Sequence, residues 1–254
     1  LHRLIRRQRQ MCIRDSLTHD FRAVEIDMLG NVVAQWYASG RPQGPVQGAI
    51  PIDTLAFHHD IDELPNGHFV VLGVEKHEID NYYTSEYDPK APRKRQDVMG
   101  DEIIEFTREG KEVWRWKAFD HLDPFRIGYE TFSPYWARRG FPKTVDWTHA
   151  NSLVYDPRDD SLLVNMRVQS AIVKIARPSG EIRWILGPPV GWPAKLKPLL
   201  LKPLGSPFRW FYQEHAVNWT PKGTLVIFDN GDYEAFPFTP PVPPAKTYSR
   251  AVEY

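Results

Sequence analysis

Alternating apolar and polar positions, closed by a glycine-bearing turn, recur three times along the chain. The three runs are Val24–Trp36 around Gly30, Glu102–Trp116 around Gly110, and Ala171–Trp184 around Gly180. Successive strand side chains point to opposite faces, and glycine accepts the positive φ of a tight turn, so each run predicts a β-hairpin. Each hairpin ends in tryptophan. Trp36, Trp114, Trp116 and Trp184 in these places predict packing between neighbouring sheets.

A second repeat starts with histidine each time: His59 to Leu72, His149 to Val164, and His215 to Phe228. In the first and third, the histidine stands six residues before Pro65 or Pro221 and eight before Gly67 or Gly223, whereas the second carries a longer turn through Pro157. Taken together, each unit reads as two inner strands that begin at the histidine, followed by an outer hairpin that ends in tryptophan. Four such strands repeated radially make a propeller blade, so the expected class is all-β with a β-propeller architecture. A blade ordinarily takes ~40–45 residues, but the histidines are 90 and 66 residues apart. The excess predicts insertions at 75–101, 118–147 and the proline-rich 187–211.

A residue that recurs at one phase of a structural repeat returns to one region of space. His59, His149 and His215 are therefore expected to converge on a common centre. A histidine at a strand start is, taken alone, most often a half-buried polar residue; three at equivalent phases, with Arg167 ending the strand that follows the His149 strand, point to a site. His58 is one residue out of phase with His59, which predicts the opposite face and a structural role. The other histidines, at 2, 19, 68, 77 and 121, fall in turns, insertions or the N-terminal segment and read as surface residues.

Composition narrows the class. There are 23 prolines, 16 glycines and 13% aromatics, which suit a turn-dense β fold with large loops. No apolar run reaches the ~18 residues of a membrane-spanning helix. The formal charge is zero, which gives no reason to propose nucleic acid or an anionic membrane surface as partner. Leu1–Ser16 stands apart, with five arginines and one acid, and it resembles translated adapter sequence. Its exclusion leaves 17–254 as the expected propeller part and removes Cys12, the single cysteine, from any redox argument. Tyr248–Tyr254 begins a strand in the phase of the next outer hairpin, so a propeller incomplete at both ends is expected, with about three to four blades present.

Four separated motifs carry a family resemblance: Phe57–Gly67, Asp146–Ser152, Asn165–Ile175 and Gln213–Asn218. In this order they resemble the bacterial arylsulfate sulfotransferases. The resemblance covers roughly 22–254 and implies a six-bladed propeller and a periplasmic enzyme that uses no nucleotide sulfate donor, no cofactor and no metal at its catalytic centre. It implies His215 as the histidine that is transiently sulfated, His59, His149 and Arg167 as the groups around the sulfuryl moiety, and Asn151 as a substrate-binding residue of the pocket wall. The implied partners are small molecules, an aryl sulfate donor and a phenol acceptor.

The chemistry agrees with that assignment. Sulfuryl transfer resembles phosphoryl transfer in its loose transition state with charge on peripheral oxygens, so the protein mainly positions the reactants and stabilises anionic oxygen. A guanidinium fits such an oxyanion group, and a neutral imidazole is a competent nucleophile near neutral pH. Two other readings stay open. Three converging histidines, with Asp60, Asp62 and Glu63 nearby, can form a zinc site of a metal-dependent hydrolase, although Arg167 would repel a dication. A propeller can also act as a non-catalytic interaction scaffold. The aromatic insertions 119–147 and 207–212 either complete an acceptor pocket or pack their loops onto the sheets.

Overall fold

The computed structural model describes residues 13–254 and is all-β apart from one helical turn and four single 3-10 turns among them. Of the segment Leu1–Ser16 set apart above, residues 1–12, with Cys12, lie outside the described residues. The first sheet runs β1 (Ile13–Leu17), β2 (Arg22–Asp27), β3 (Val32–Ala38) and β4 (Ile50–Ile52) in that order. Strand β1 begins inside the arginine-rich segment set apart above, with Ile13 opposite Asp27. The second sheet runs β5 (Phe57–Glu63), β6 (Phe69–Tyr82), β7 (Lys94–Phe106) and β8 (Glu112–Lys117). After α1 (Ala118–His121) and β9 (Thr144–Asp146), the third sheet is an antiparallel meander of β10 (Ala150–Asp156), β11 (Ser161–Met166), β12 (Ala171–Ala176) and β13 (Ile182–Leu186). The last sheet has β14 (His215–Trp219), β15 (Leu225–Asp229) and β16 (Arg250–Glu253).

The three glycine-turn hairpins therefore form where the alternation places them, as β2–β3, β7–β8 and β12–β13. The three histidine-led repeats form the inner pairs β5–β6, β10–β11 and β14–β15. The long segments between repeats take other forms than loops alone. Residues 75–101 mostly lengthen β6 and β7, with Lys76 bonded to Asp97 at 3.0 Å and Arg95 paired with Glu78 across the hairpin. Cross-strand pairs of opposite charge let so polar a segment remain a ribbon. Part of 118–147 returns as β9, parallel to β7.

Contacts divide the described chain into two compact units. One comprises residues up to Glu75 with Glu102–Arg115, and the other Lys76–Asp101 with Trp116–Tyr254. In the first, Trp36 is wholly buried between Phe69 and Phe106, at ring distances of 4.6 and 5.6 Å. Its indole N–H donates to the Arg108 carbonyl at 3.0 Å, in the turn of the following hairpin. In the second unit, Trp116 donates to the Gly180 carbonyl at 3.0 Å, again in the turn of the following hairpin. A buried indole needs a partner for its N–H, and at Trp36 and Trp116 the turn of the next hairpin supplies one.

The second unit has its core between the last two sheets. Leu163, Ile172 and Leu186 pack against Phe211, Val217, Leu225 and Ile227, with Trp184 and Trp219 at the margin. Burial of side chains this large supplies roughly 1.5–3 kcal/mol each. Truncation of Leu163, which has no exposed surface, to alanine should cost about 2–5 kcal/mol in chemical denaturation. A loss below about 1 kcal/mol would show that this cluster is not the core of its unit.

Candidate active site

Each inner strand breaks its register at the histidine. The ladder shifts between Phe57 and Ile61, between Ala150 and Ser152, and between His215 and Asn218. Left-handed backbone accompanies the breaks: φ is 58° at His59, 51° at His149, and 55° at Ala216. A bulge re-aims side chains and ends regular pairing, so the histidine repeat in the sequence is a repeat of one backbone device. Non-glycine residues adopt this conformation only when their surroundings hold them there.

In the second unit, the turn Arg167–Ser170 connects two of these breaks. The Arg167 and Val168 N–H groups donate to the carbonyls of His149 and Thr148 at 3.1 and 3.2 Å. The Ser170 hydroxyl accepts the N–H of Gln213, two residues before His215, at 3.2 Å. Asn151 and Asn165 add a second link, since both carboxamides donate to the Glu214 carbonyl at 2.8 and 2.7 Å. Asn165 also donates to Asn151 Oδ1 at 2.6 Å. Asn151, expected to line a substrate pocket, thus sits buried with its side chain spent on the backbone next to His215.

The two histidines differ in what holds their rings. His215 Nδ1 lies 2.9 Å from Asn230 Oδ1. A carbonyl oxygen can only accept, so Nδ1 carries the proton and the lone pair is at Nε2. Burial lowers the His215 pKa, and the charges of Arg167 and His149 lower it further against the opposing bond from Asn230. Its neutral form, the one with a nucleophilic lone pair, is thereby favoured. His149 is buried and gives its Nδ1–H to Asp146, whose other oxygen accepts the Trp136 indole N–H at 2.9 Å. Such a carboxylate fixes the tautomer and compensates an imidazolium when Nε2 takes a proton. Tyr135 stands edge-on to the His149 ring at 4.4 Å.

Arg167 pairs with Glu130 at 2.5 Å. The loop carrying Glu130 reaches it because Gly128 lies against the arginine turn: a Cβ there would stand 1.7 Å from the Val168 carbonyl oxygen. Beneath the turn, the buried Arg126 guanidinium donates to the backbone and side-chain oxygens of Gln169 at 2.9 and 2.7 Å and stacks on Trp192 at 3.8 Å. Burial pushes its pKa down to about 9. The Glu214 side chain is fully buried with neither oxygen hydrogen-bonded, and burial pushes its pKa well above the usual carboxylate range. Its neutral form is favoured, which keeps a negative charge away from the back of the site.

His149, Arg167 and His215 are thus brought together in the second unit, with Asn151 behind them. His59 belongs to the first unit, where it is exposed and its Nδ1 lies 2.8 Å from Nδ1 of His58. His58 is buried, in keeping with a packing role. Among the described residues, no group of three or more His, Cys, Asp or Glu is arranged to hold a metal ion. The sequence reading missed Asp146, Asn230, Glu130 and Glu214. Asp146 and Glu214 stand within three residues of a site histidine. Asn230 sits in the Asp229–Gly231 turn after β15, and Glu130 carries no local signal.

A free imidazole nitrogen, a guanidinium beside it and a second histidine backed by a carboxylate form the equipment for displacement at an anionic centre. A family model described as arylsulfotransferase (ASST) matches residues 6–254, and the chain belongs to that family. It is 29% identical over 290 residues to the arylsulfate sulfotransferase AssT of Lelliottia amnigena, and 30% over 295 residues to that of Escherichia coli. Each alignment takes in 96% of this chain and 44% of the relative, so the chain spans less than half the length of these proteins. Among solved structures, a Bacteroides caccae protein of unknown function aligns over 84% of this chain and 47% of its own, at 11% identity and a TM-score of 0.36. BamB from Moraxella catarrhalis aligns over 87% and 58% at 10% identity and a TM-score of 0.26.

In an imidazole NMR titration, His215 should show a midpoint below the ordinary value of about 6.5. Arg167→Gln should raise that midpoint, since it removes a positive charge that opposes protonation. A midpoint unmoved by the substitution would mean that the guanidinium does not act on His215. Gly128→Ala should displace the loop that carries Glu130 or unfold it, visible as loss of amide protection over residues 126–133 and 167–170.

Proposed function

We propose that this protein moves a sulfuryl group from an aryl sulfate to a phenolic acceptor, in a ping-pong reaction through a sulfohistidine on His215. The observation that carries this reading is the state of His215: Nδ1–H is taken by Asn230, Nε2 keeps its lone pair, and Arg167 and His149 stand close enough for their charges to act on the ring. Membership of the arylsulfotransferase family supports the choice of substrate class.

In the first half-reaction the Nε2 lone pair attacks sulfur. The bond from sulfur to the aryl oxygen breaks with its electron pair on oxygen, and protonated His149 delivers its Nε2 proton to the departing phenolate. In the second, His149 takes the proton of the incoming phenol, whose oxygen attacks sulfur while the sulfur–nitrogen bond returns its pair to Nε2. Asp146 compensates the imidazolium present before the first transfer and restored by the second. Arg167 presents planar donors to the sulfuryl oxygens, and the neutral Glu214 adds no repulsion.

His59 is the third imidazole of this reading, supported by its equivalent phase, bulge and left-handed backbone. Asn151 belongs to the pocket wall and positions His215 through the Glu214 carbonyl. The four-stranded meanders and the recurrent indole bonds are what a six-bladed propeller would use as blades. A periplasmic location and a reaction without cofactor, nucleotide donor or metal at the catalytic centre complete the reading.

Incubation with an aryl sulfate and no acceptor should leave one sulfuryl group on the peptide that contains His215, read by mass spectrometry, and His215→Ala should abolish it. A label on serine, threonine or tyrosine would overturn the assignment. Arg167→Lys keeps the charge but loses the planar fork, so turnover should fall on the order of 10²- to 10³-fold with the fold intact. Turnover should persist in chelator and rise steeply with added phenol. Acceptor-independent, chelator-sensitive cleavage would point instead to a metal-bound water as the nucleophile.

A further inference from the structure

Arg167 already holds an anion that belongs to the protein. Glu130 Oε2 lies 2.5 Å from Arg167 Nη1, and Glu130 Oε1 accepts a longer bond from the Tyr233 hydroxyl at 3.3 Å. The Glu130 backbone is left-handed, with φ 70°, and its carbonyl accepts the Ser133 N–H at 2.9 Å, so a tight turn presents the carboxyl group. Glu130 also lines a cleft of about 620 Å³ together with Tyr87, Phe132, Tyr135 and Tyr233. The same Tyr135 packs edge-on to His149. One face of this carboxylate therefore meets an aromatic cleft and the other meets the guanidinium.

A carboxylate and a sulfuryl group ask the same thing of a guanidinium, which is two or more N–H donors in one plane. They carry charge of the same sign, so both cannot occupy the same donors without repulsion. We infer, on the reading of this site as one for sulfuryl transfer, that Glu130 is a specificity-determining residue: an internal competitor that occupies Arg167 in the empty site and must be displaced by the sulfate ester. The aryl group of the ester would lie in the cleft that Glu130 borders. Inorganic sulfate carries two negative charges where the ester carries one, so the Glu130 carboxylate opposes it more strongly and discriminates against it. Tyr233 sets the strength of the barrier, because its hydroxyl holds the second oxygen of the displaced group.

The test compares wild type with Glu130→Gln and Tyr233→Phe. Binding of an aryl sulfate and of inorganic sulfate is measured by calorimetry, with KM and kcat for the ester. Glutamine keeps the shape and loses the charge. Aryl sulfate should bind Glu130→Gln on the order of 2- to 5-fold more tightly, a range set by a partly exposed ion pair. Inorganic sulfate should gain by a larger factor, and Tyr233→Phe should move both in the same direction by less. A weaker or unchanged affinity in Glu130→Gln, with wild type turning over the ester, would overturn the competitor role and leave the sulfuryl-transfer reading standing. Should Glu130→Gln fail to fold, Tyr233→Phe decides alone, and no gain for either anion overturns the inference. If neither wild type nor variants bind aryl sulfate, the sulfuryl-transfer reading falls, and the competitor role with it.

Discussion

The turn Arg167–Ser170 is the joint on which the site depends. Its N–H groups hold the carbonyls before β10, its serine hydroxyl holds the segment before β14, and its first side chain is the guanidinium. Four residues thus set the distance between two histidines that are 66 positions apart in the sequence. Backbone polar groups buried at such a place must find partners, and here the partners are the two strands that need to be aligned. Flexible substrate loops would position these groups less well than strands tied to one another through a common turn.

Charge in this region is managed by burial as much as by pairing. Arg126 lies wholly buried under the turn, stacked on an indole and bonded to Gln169. Glu214 is buried next to His215 without a hydrogen bond to its carboxyl oxygens. An ionised carboxylate would be costly there, so its desolvation favours the protonated group. The remaining charges are paired: Arg167 meets Glu130 at the surface of the site, while the buried Asp146 meets His149. A fixed base with one buried cation, Arg126, and one carboxyl group, Glu214, whose neutral form is favoured, suits a site that binds and releases anions.

Much of the fold was legible because its code is periodic. Gly30, Gly110 and Gly180 marked the turns, and alternation marked the strands on either side. His59, His149 and His215 were readable as one feature since each sits at the same break in its ladder. The polar stretch 75–101 was read as an insertion, yet it lengthens β6 and β7, because ribbon strands held by opposite charges lack the apolar alternation of half-buried ones. Asn151 is legible as a residue of the site, but the use of its amide, which bonds Asn165 and the Glu214 carbonyl, is not, because a sequence shows the residue type and not its hydrogen bonds. Glu130 could not be found from sequence, since it lies 37 residues from Arg167 and its approach depends on the bare backbone at Gly128.

The indole bonds from Trp36 to Arg108 and from Trp116 to Gly180 each reach the hairpin that comes next in the chain. Coupling of this kind is nearest-neighbour: each of these two hairpins is tied to the one that follows it, as in a repeat array whose stability is a sum of local interfaces. These ties lie in the glycine-turn hairpins, while the histidine bulges begin the strand pairs that precede them in the chain. Substitution at the histidine bulges, which alters the chemistry, is thereby separated along the chain from substitution at the indole ties, which alters packing. A scaffold divided in this way can exchange substrates without relearning how to fold.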